Sequence, residues 1–241
     1  LEENKKELPT WRGHHEQNMA LTGIAFSRAK RRKQIFIATS SVGPGSTNMI
    51  TAAAVAMSNR LPMLFLPGDT FANRMPDPVL QQVEHFNNPN ITQNDAFKYV
   101  TRYFDRITRP EQIIQSLPQA IQTMIDPADC GPACISLSQD VQGEVFEYPE
   151  EFFEEQIHTI RRPRPDDFQI KLAADLIKKS KNPIIISGGG IFYSDATNEL
   201  SEFAKKHNIP TAQTVMGYST MKKDDPYFLG AIGGFWGERT K

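Results

Sequence analysis

Short apolar runs alternate along the chain with longer stretches in which apolar residues recur at helical spacing. A short apolar run with a turn-forming residue close to one end is typical of a buried strand, whereas the longer pattern predicts an amphipathic helix. The predicted strands are Gln34–Thr39, Met63–Leu66, Ala133–Leu137, Pro183–Ser187 and Ile209–Gln213. The predicted helices are Gln17–Lys30, Thr47–Ser58, Pro110–Ile125, Asp167–Lys179 and Ala196–His207. This alternation indicates an α/β fold with a mostly parallel sheet.

The composition changes between the two halves of this pattern. An acidic run, Glu150–Glu155, is followed by a basic stretch broken by prolines, Arg161–Pro165. Proline restricts the residue before it, and the stretch has neither helical nor strand period, so residues 149–165 are predicted to connect two units. The chain starts on a charged pattern with no strand before it. The second unit has only about two predicted strands, which would leave unpaired sheet edges exposed. We therefore expect a fragment of a longer polypeptide.

Charge and hydropathy narrow the classes of partner. The 27 basic and 28 acidic residues nearly balance, which gives no electrostatic argument for nucleic acid or an anionic membrane. The chain has neither a membrane-length apolar run nor a secretory leader, so we expect a cytoplasmic protein. Cys130 and Cys134 form a poor zinc pattern and are expected to be reduced, structural thiols.

Glu16 follows two histidines at the start of a predicted helix. Backbone dipoles there favour a negative charge, and glutamate is common in first turns for that reason alone. A zinc-protease motif is excluded because Met19 stands where the second histidine is required. The position therefore fits either a structural glutamate or a functional carboxylate.

A turn, Gly43-Pro44-Gly45, links the first predicted strand to an alanine-rich helix. Glycine lets a planar ring or a phosphate approach the backbone, although the same pattern also makes an ordinary tight turn. The lysine of a phosphate-binding P-loop is missing. Ser41 and Asn48 can donate hydrogen bonds into the same space.

Gly188-Gly189-Gly190 ends another predicted strand, a place where nucleotides often bind in α/β sheets. The dinucleotide fingerprint is incomplete because Tyr193 occupies the position of its third glycine. Structural glycines and a non-catalytic nucleotide-binding module both remain open on this pattern.

Several segments resemble the thiamine-diphosphate enzymes of the acetolactate synthase group. Residues 13–20, 39–56 and 61–71 resemble the pyrimidine-binding domain, and residues 182–196 resemble the start of the Rossmann-like central domain. Residues 68–84 are most similar to the branch that hydrolyses a cyclic dione in myo-inositol breakdown. The resemblance implies a pyrimidine-binding domain over residues 1–148 with its first strand missing, a linker, and the N-terminal part of the central domain over residues 166–241.

The resemblance also implies roles for individual residues. Glu16 is expected to be the catalytic carboxylate, hydrogen-bonding the aminopyrimidine ring nitrogen so that the cofactor loses its C2 proton. Gly43, Pro44, Gly45 and Asn48 are expected to line the cofactor beside it. For the substrate, the expected residues are His15 and Asp69, and Asp69 stands where carboligases of this group carry a glutamine.

The implied reaction is hydrolysis of a carbon–carbon bond that opens trihydroxycyclohexane-1,2-dione to 5-deoxyglucuronate. Acetolactate synthase-like ligation of 2-oxoacids is the alternative within the same group. Mg²⁺ is expected to bind in a missing domain, because its G-D-G…N-N motif is absent here and the chain offers no metal ligands of its own. The group assembles active sites from two subunits, which implies a homodimer or homotetramer.

Overall fold

The computed structural model describes residues 4–75, 79–83 and 85–233. The chain divides into two compact units, Leu1–Ile160 and Arg161–Lys241. The division falls within the predicted connector, where the structure has a single 3-10 turn at Glu150–Phe153.

Within its described residues, the first unit has a four-stranded parallel sheet in the order β1-β2-β4-β3. Its strands are β1 (Ile37–Ser40), β2 (Met63–Asp69), β3 (Tyr103–Ile107) and β4 (Pro132–Ser138). The helices are α1 (Glu16–Ala29), α2 (Pro44–Thr47), α3 (Ile50–Asn59) and α4 (Ile113–Ile125), with 3-10 turns at Gln93–Tyr99, Pro110–Gln112 and Val141–Gly143. The carboxyl ends of all these strands therefore share one edge of the sheet.

The core of the first unit lies around the central strands β2 and β4. Phe65 and Ile135 are fully buried there, and Ala120 and Met124 of α4 pack over the sheet. On α3, three alanines are completely buried, which lets this helix lie close to its neighbours: Ala52, Ala53 and Ala56.

Both cysteines are free and buried, as predicted. Burial raises the pKa of the Cys130 thiol and raises that of Cys134 well above its ordinary value. Both thiols are thus protonated at neutral pH and serve packing. In the part of the chain that the structure describes, no helix is long and apolar enough to cross a membrane.

The second unit, over its described residues, has a three-stranded parallel sheet in the order β5-β6-β7. Its strands are β5 (Ile185–Ser187), β6 (Thr211–Gln213) and β7 (Phe228–Ala231), and its helices are α5 (Asp167–Lys179), α6 (Gly189–Tyr193) and α7 (Thr197–His207). Asp166 caps α5, accepting a hydrogen bond from the Phe168 backbone N–H at 2.8 Å. This cap fixes the start of the unit's first helix.

Strands β3 and β7 were not predicted, so the expected count of two strands in the second unit was wrong. The β3 sequence, Tyr-Phe-Asp-Arg-Ile, has two charged residues and no apolar run. The strand is stabilised instead by a polar contact, in which Arg106 bonds to the buried Asp69. β7 is short and contains Gly230 at a positive φ. The predicted helix Thr47–Ser58 is two helices, α2 and α3, separated by Asn48 and Met49.

Candidate functional site

Glu16 is the first residue of α1, and its half-buried side chain meets Asn48 at the end of α2. The Asn48 amide Nδ2 donates a hydrogen bond to Glu16 Oε2 at 3.0 Å. This bond is the main cause that lowers the pKa of Glu16; a bond from its own backbone N–H acts in the same direction, and partial burial opposes both. Glu16 is therefore an ionised carboxylate at neutral pH.

The Gly43-Pro44-Gly45 turn faces this carboxylate with bare backbone. Gly43 has a φ of +71°, and a Cβ there would overlap the Gln81 carbonyl oxygen, so only glycine fits. A Cβ at Gly45 would overlap Ser41 Oγ and lie 3.5 Å from Glu16 Oε1. Pro44 opens α2, where its missing N–H costs nothing. Both glycines are therefore required by the packing of their own unit, and the turn lies directly beside the carboxylate.

The structure brings most of the predicted site residues together. Glu16, Gly45 and Asn48 converge, and Gly43 and Pro44 complete the same turn. His15 lies beside Glu16 with an exposed side chain that makes no capping hydrogen bond.

Asp69, at the end of β2, has a different environment. Its side chain is fully buried, and Oδ2 accepts hydrogen bonds from Arg106 Nε at 2.7 Å and from Ser136 Oγ at 2.5 Å. Oδ1 accepts a bond from the Thr70 backbone N–H at 2.8 Å. Because both oxygens are engaged, the geometry favours a structural role over the predicted contact with a substrate.

Arg106 joins Asp69 to a second acid. Its Nη2 lies 3.1 Å from Asp95 Oδ2 and donates to Thr92 Oγ1 at 2.8 Å. Burial lowers the pKa of Arg106, but the bonds to Asp69 and Asp95 outweigh it and raise the pKa overall. The guanidinium is therefore a permanent cation enclosed by two carboxylates.

Sequence reasoning missed this ion pair and the polar residues around it. Asn94 and Ser136 are completely buried and bonded to each other at 2.7 Å. One local signal existed: Thr92 and Asp95 have the spacing of a capping box, and the structure forms that box at the start of Gln93–Tyr99. It indicates an ordered turn, but the pairing of Arg106 with Asp69 depends on β3, which has no apolar run to reveal it.

A pocket of about 310 Å³ lies beside the turn at the carboxyl ends of β1 and β2. Its walls combine amide and hydroxyl side chains with aliphatic ones, and more of the wall surface is apolar than polar: Ser40, Ser41, Val42, Gly68, Val79, Leu80, Gln81, Gln139 and Gln142. The volume is at the lower end of the range for small-molecule sites. In parallel sheets ligands bind at this edge, and the pocket lies there next to the turn, although neither Glu16 nor the turn itself lines it.

Two other candidates lead to no assembled site. Over the described residues, no three His, Cys, Asp or Glu side chains cluster closely enough to hold a metal ion. Gly188 precedes α6, which has only five residues and begins at Gly189.

Family models match both units of the chain. The thiamine pyrophosphate enzyme N-terminal TPP-binding domain matches residues 1–90, and the central domain of the same enzymes matches residues 170–240. The chain belongs to the thiamine pyrophosphate enzymes. The turn and Glu16 lie inside the N-terminal match, and α5, β5 and β6 lie inside the central one.

Among these thiamine pyrophosphate enzymes, curated relatives match over most of the chain. The 3D-(3,5/4)-trihydroxycyclohexane-1,2-dione hydrolases of Clostridium botulinum and Clostridium tetani are each 49% identical to it over 233 residues. The protein of the same name from Geobacillus thermodenitrificans is 48% identical over the same length. Each match covers 97% of this chain but 36% of the relative, so the chain spans about a third of their length.

Proposed function

We propose that the chain is the cofactor-activating part of a thiamine-diphosphate-dependent hydrolase that opens trihydroxycyclohexane-1,2-dione to 5-deoxyglucuronate in myo-inositol catabolism. The names of its relatives support the substrate, and the two matched domains support the cofactor. The activity belongs to the whole protein, because this chain corresponds to 36% of those relatives.

One observation carries the proposal: Glu16 and Asn48, 32 residues apart, form a hydrogen bond directly beside the bare backbone of Gly45. This geometry fits an aminopyrimidine ring. A flat heteroaromatic ring needs a surface without Cβ atoms, and its ring nitrogen needs an acid or acceptor at its edge. The turn supplies the first, and the carboxylate supplies the second.

Each residue at the turn has a separate proposed role in binding the cofactor. Glu16 holds a proton between its carboxylate and the ring nitrogen, and Asn48 keeps the carboxylate oriented and ionised. Gly43 and Gly45 are proposed to line the ring, and neighbouring atoms of the same unit already occupy the positions where their Cβ atoms would stand. Thiamine diphosphate, when bound, supplies the electron sink for cleaving a carbon–carbon bond next to a carbonyl. The adjoining pocket includes three glutamine side chains, which can hydrogen-bond the hydroxyl groups of a polyhydroxylated ring.

The remaining parts of the active site are proposed to lie outside this chain. The diphosphate and its Mg²⁺ need a domain with the G-D-G…N-N motif, which the printed sequence lacks. We place that domain on a second subunit of a homodimer or homotetramer in the cytoplasm. His15, which is exposed beside Glu16, is proposed to contact the substrate.

Glu16→Gln in the full-length protein tests the proposal. The amide keeps the shape but loses the charge that holds the ring proton, so exchange of the cofactor C2 proton should fall by at least about a hundredfold. Exchange into D₂O is followed by NMR after acid quenching, and ring opening by loss of the dione. Glu144→Gln, which changes an exposed glutamate of the same unit, is the matched control and should exchange at the wild-type rate.

Two results would contradict the proposal. Wild-type exchange in Glu16→Gln would remove the role of this carboxylate. Turnover of 2-oxoacids by the unmodified protein without ring opening would replace the hydrolase with a carboligase of the same family.

A further inference from the structure

We propose that Asn94 is a positioning residue that ties the cofactor-facing turn to the buried Asp69–Arg106 ion pair. Ser46 connects it to the turn, and Ser136 connects it to the ion pair. The inference rests on the proposed function, because it assigns these residues the task of fixing the surface against which the cofactor ring lies.

All the polar atoms of the Asn94 side chain are engaged. Its Oδ1 accepts a hydrogen bond from Ser46 Oγ. Its Nδ2 donates to the Gly68 backbone oxygen at 2.9 Å and to Ser136 Oγ at 2.7 Å. Asn94, Ser46 and Ser136 are each completely buried, so water does not compete for these bonds.

The ion pair fixes which group donates in each hydrogen bond of the network from Asp69 to Ser46. A carboxylate paired with a guanidinium only accepts hydrogen bonds, so the Ser136 hydroxyl donates to Asp69. Ser136 must then accept from its other neighbour, which turns the amide nitrogen of Asn94 towards it. The amide oxygen is left facing Ser46. The asparagine side chain has a hydrogen-bond donor and an acceptor on one small plane, whereas aspartate has only acceptors and leucine has neither.

The last bond reaches the turn itself. Ser46 directly follows Gly45 and lies within α2, and Gly68 lies at the end of β2. Asn94 bonds to both, so it holds the turn at a fixed place over the edge of the sheet. Binding groups act best when their supporting contacts hold them in place before the ligand arrives.

Ser46→Ala tests the link, since it removes only the bond to the turn. Ser116→Ala is the matched control: Ser116 is equally buried in the same unit, and its hydroxyl bonds the Tyr103 hydroxyl at 3.0 Å, away from the turn. Calorimetric titration of the full-length protein with thiamine diphosphate and Mg²⁺ gives the dissociation constant. We expect a rise of roughly five- to tenfold for Ser46→Ala and less than about twofold for Ser116→Ala, at similar losses of Tm.

A second measurement needs no cofactor. Amide hydrogen exchange of residues 43–48 in the apo protein should accelerate in Ser46→Ala and in Asn94→Asp, which places an acceptor against Ser136, but not in Ser116→Ala. Equal dissociation constants and equal exchange in Ser46→Ala and Ser116→Ala would overturn the proposal. Accelerated exchange in a protein that does not bind thiamine diphosphate would sustain the positioning link and refute the proposed function instead.

Discussion

Two acidic residues at one edge of the first sheet have opposite surroundings. Glu16 lies at the start of a helix, half-buried, with one side-chain amide as its hydrogen-bond partner. Asp69 lies at the end of β2, fully buried, and is bonded to a guanidinium, a hydroxyl and a backbone N–H. The first carboxylate has an oxygen close to open backbone, whereas the second is enclosed by its own unit.

The contrast fits the proposal that Glu16 binds a ligand, whereas Asp69 has the surroundings of a structural residue. A carboxylate that acts on a ligand must keep part of its acceptor capacity for that ligand, and Glu16 Oε1 faces the turn. A buried carboxylate needs a cation and full hydrogen bonding to be tolerated at all. Asp69 has both, so its charge holds three strands together.

Neutralising each carboxylate should give the largest difference between the two. Asp69→Asn leaves Arg106 with Asp95 as its remaining acid and should lower the free energy of unfolding by about 2–4 kcal/mol. Glu16→Gln should change it by less than about 0.5 kcal/mol. Urea unfolding followed by circular dichroism measures both values. Equal losses would mean that the two acids have the same structural role.

A strain placed in the turn should have an intermediate effect. Gly43→Ala puts a Cβ at a φ of +71° and against the Gln81 carbonyl oxygen, so we expect a loss of about 1–3 kcal/mol of unfolding free energy. Thiamine diphosphate binding should weaken in the same variant. Gly143→Ala is the control, because a Cβ there meets nothing within 4 Å. Equal stability of the two variants would show that the turn is not confined to its observed conformation.

Removing the amide partner of Glu16 should have the smallest effect. Asn48→Ala takes away the main cause that lowers the pKa of Glu16, so this pKa should rise towards its ordinary value. A lowered pKa in the folded protein stabilises it above the unfolded value of about 4, and this contribution is lost as pH falls through the folded pKa. The variant should therefore lose less stability than the wild type on acidification.

Carboxyl ¹³C NMR titration, assigned with Glu16→Gln, measures this pKa directly. Asn59→Ala is the control, since that amide donates to the Val55 backbone oxygen within its own helix. An unchanged Glu16 pKa in Asn48→Ala would place the cause elsewhere, with the Glu16 backbone N–H as the next candidate.

The turn and the first carboxylate could be predicted from sequence because their signals are local. Glycine at Gly43 and Gly45, proline at Pro44 and an acid before an amphipathic pattern each have a physical meaning within a few residues. The apolar strands β2 and β4 were found for the same reason. Helix α5 was predicted at its observed bounds, Asp167–Lys179, from its helical spacing of apolar residues.

The buried network could not be predicted, because each of its members looks ordinary in its own segment. Asn94 reads as a turn residue, Ser136 as a small residue in a strand, and Arg106 as evidence against a strand. Their meaning arises only when β3 and β4 pair, with Arg106 opposite Ser136 in the register. Asp69 was expected to face the substrate because of its position in the family resemblance, and no neighbouring residue in the sequence indicates that it pairs with a cation.

The two carboxylates make contacts that join residues at different separations along the chain, so we expect these contacts to form at different stages of folding. The contact between Glu16 and Asn48 closes 32 residues, whereas the contact between Asp69 and Ser136 closes 67. Loop closure costs more entropy as loops lengthen, so during refolding we expect the carboxylate to find its amide first. On the ribosome, synthesis must pass β4 before the turn can be locked in place.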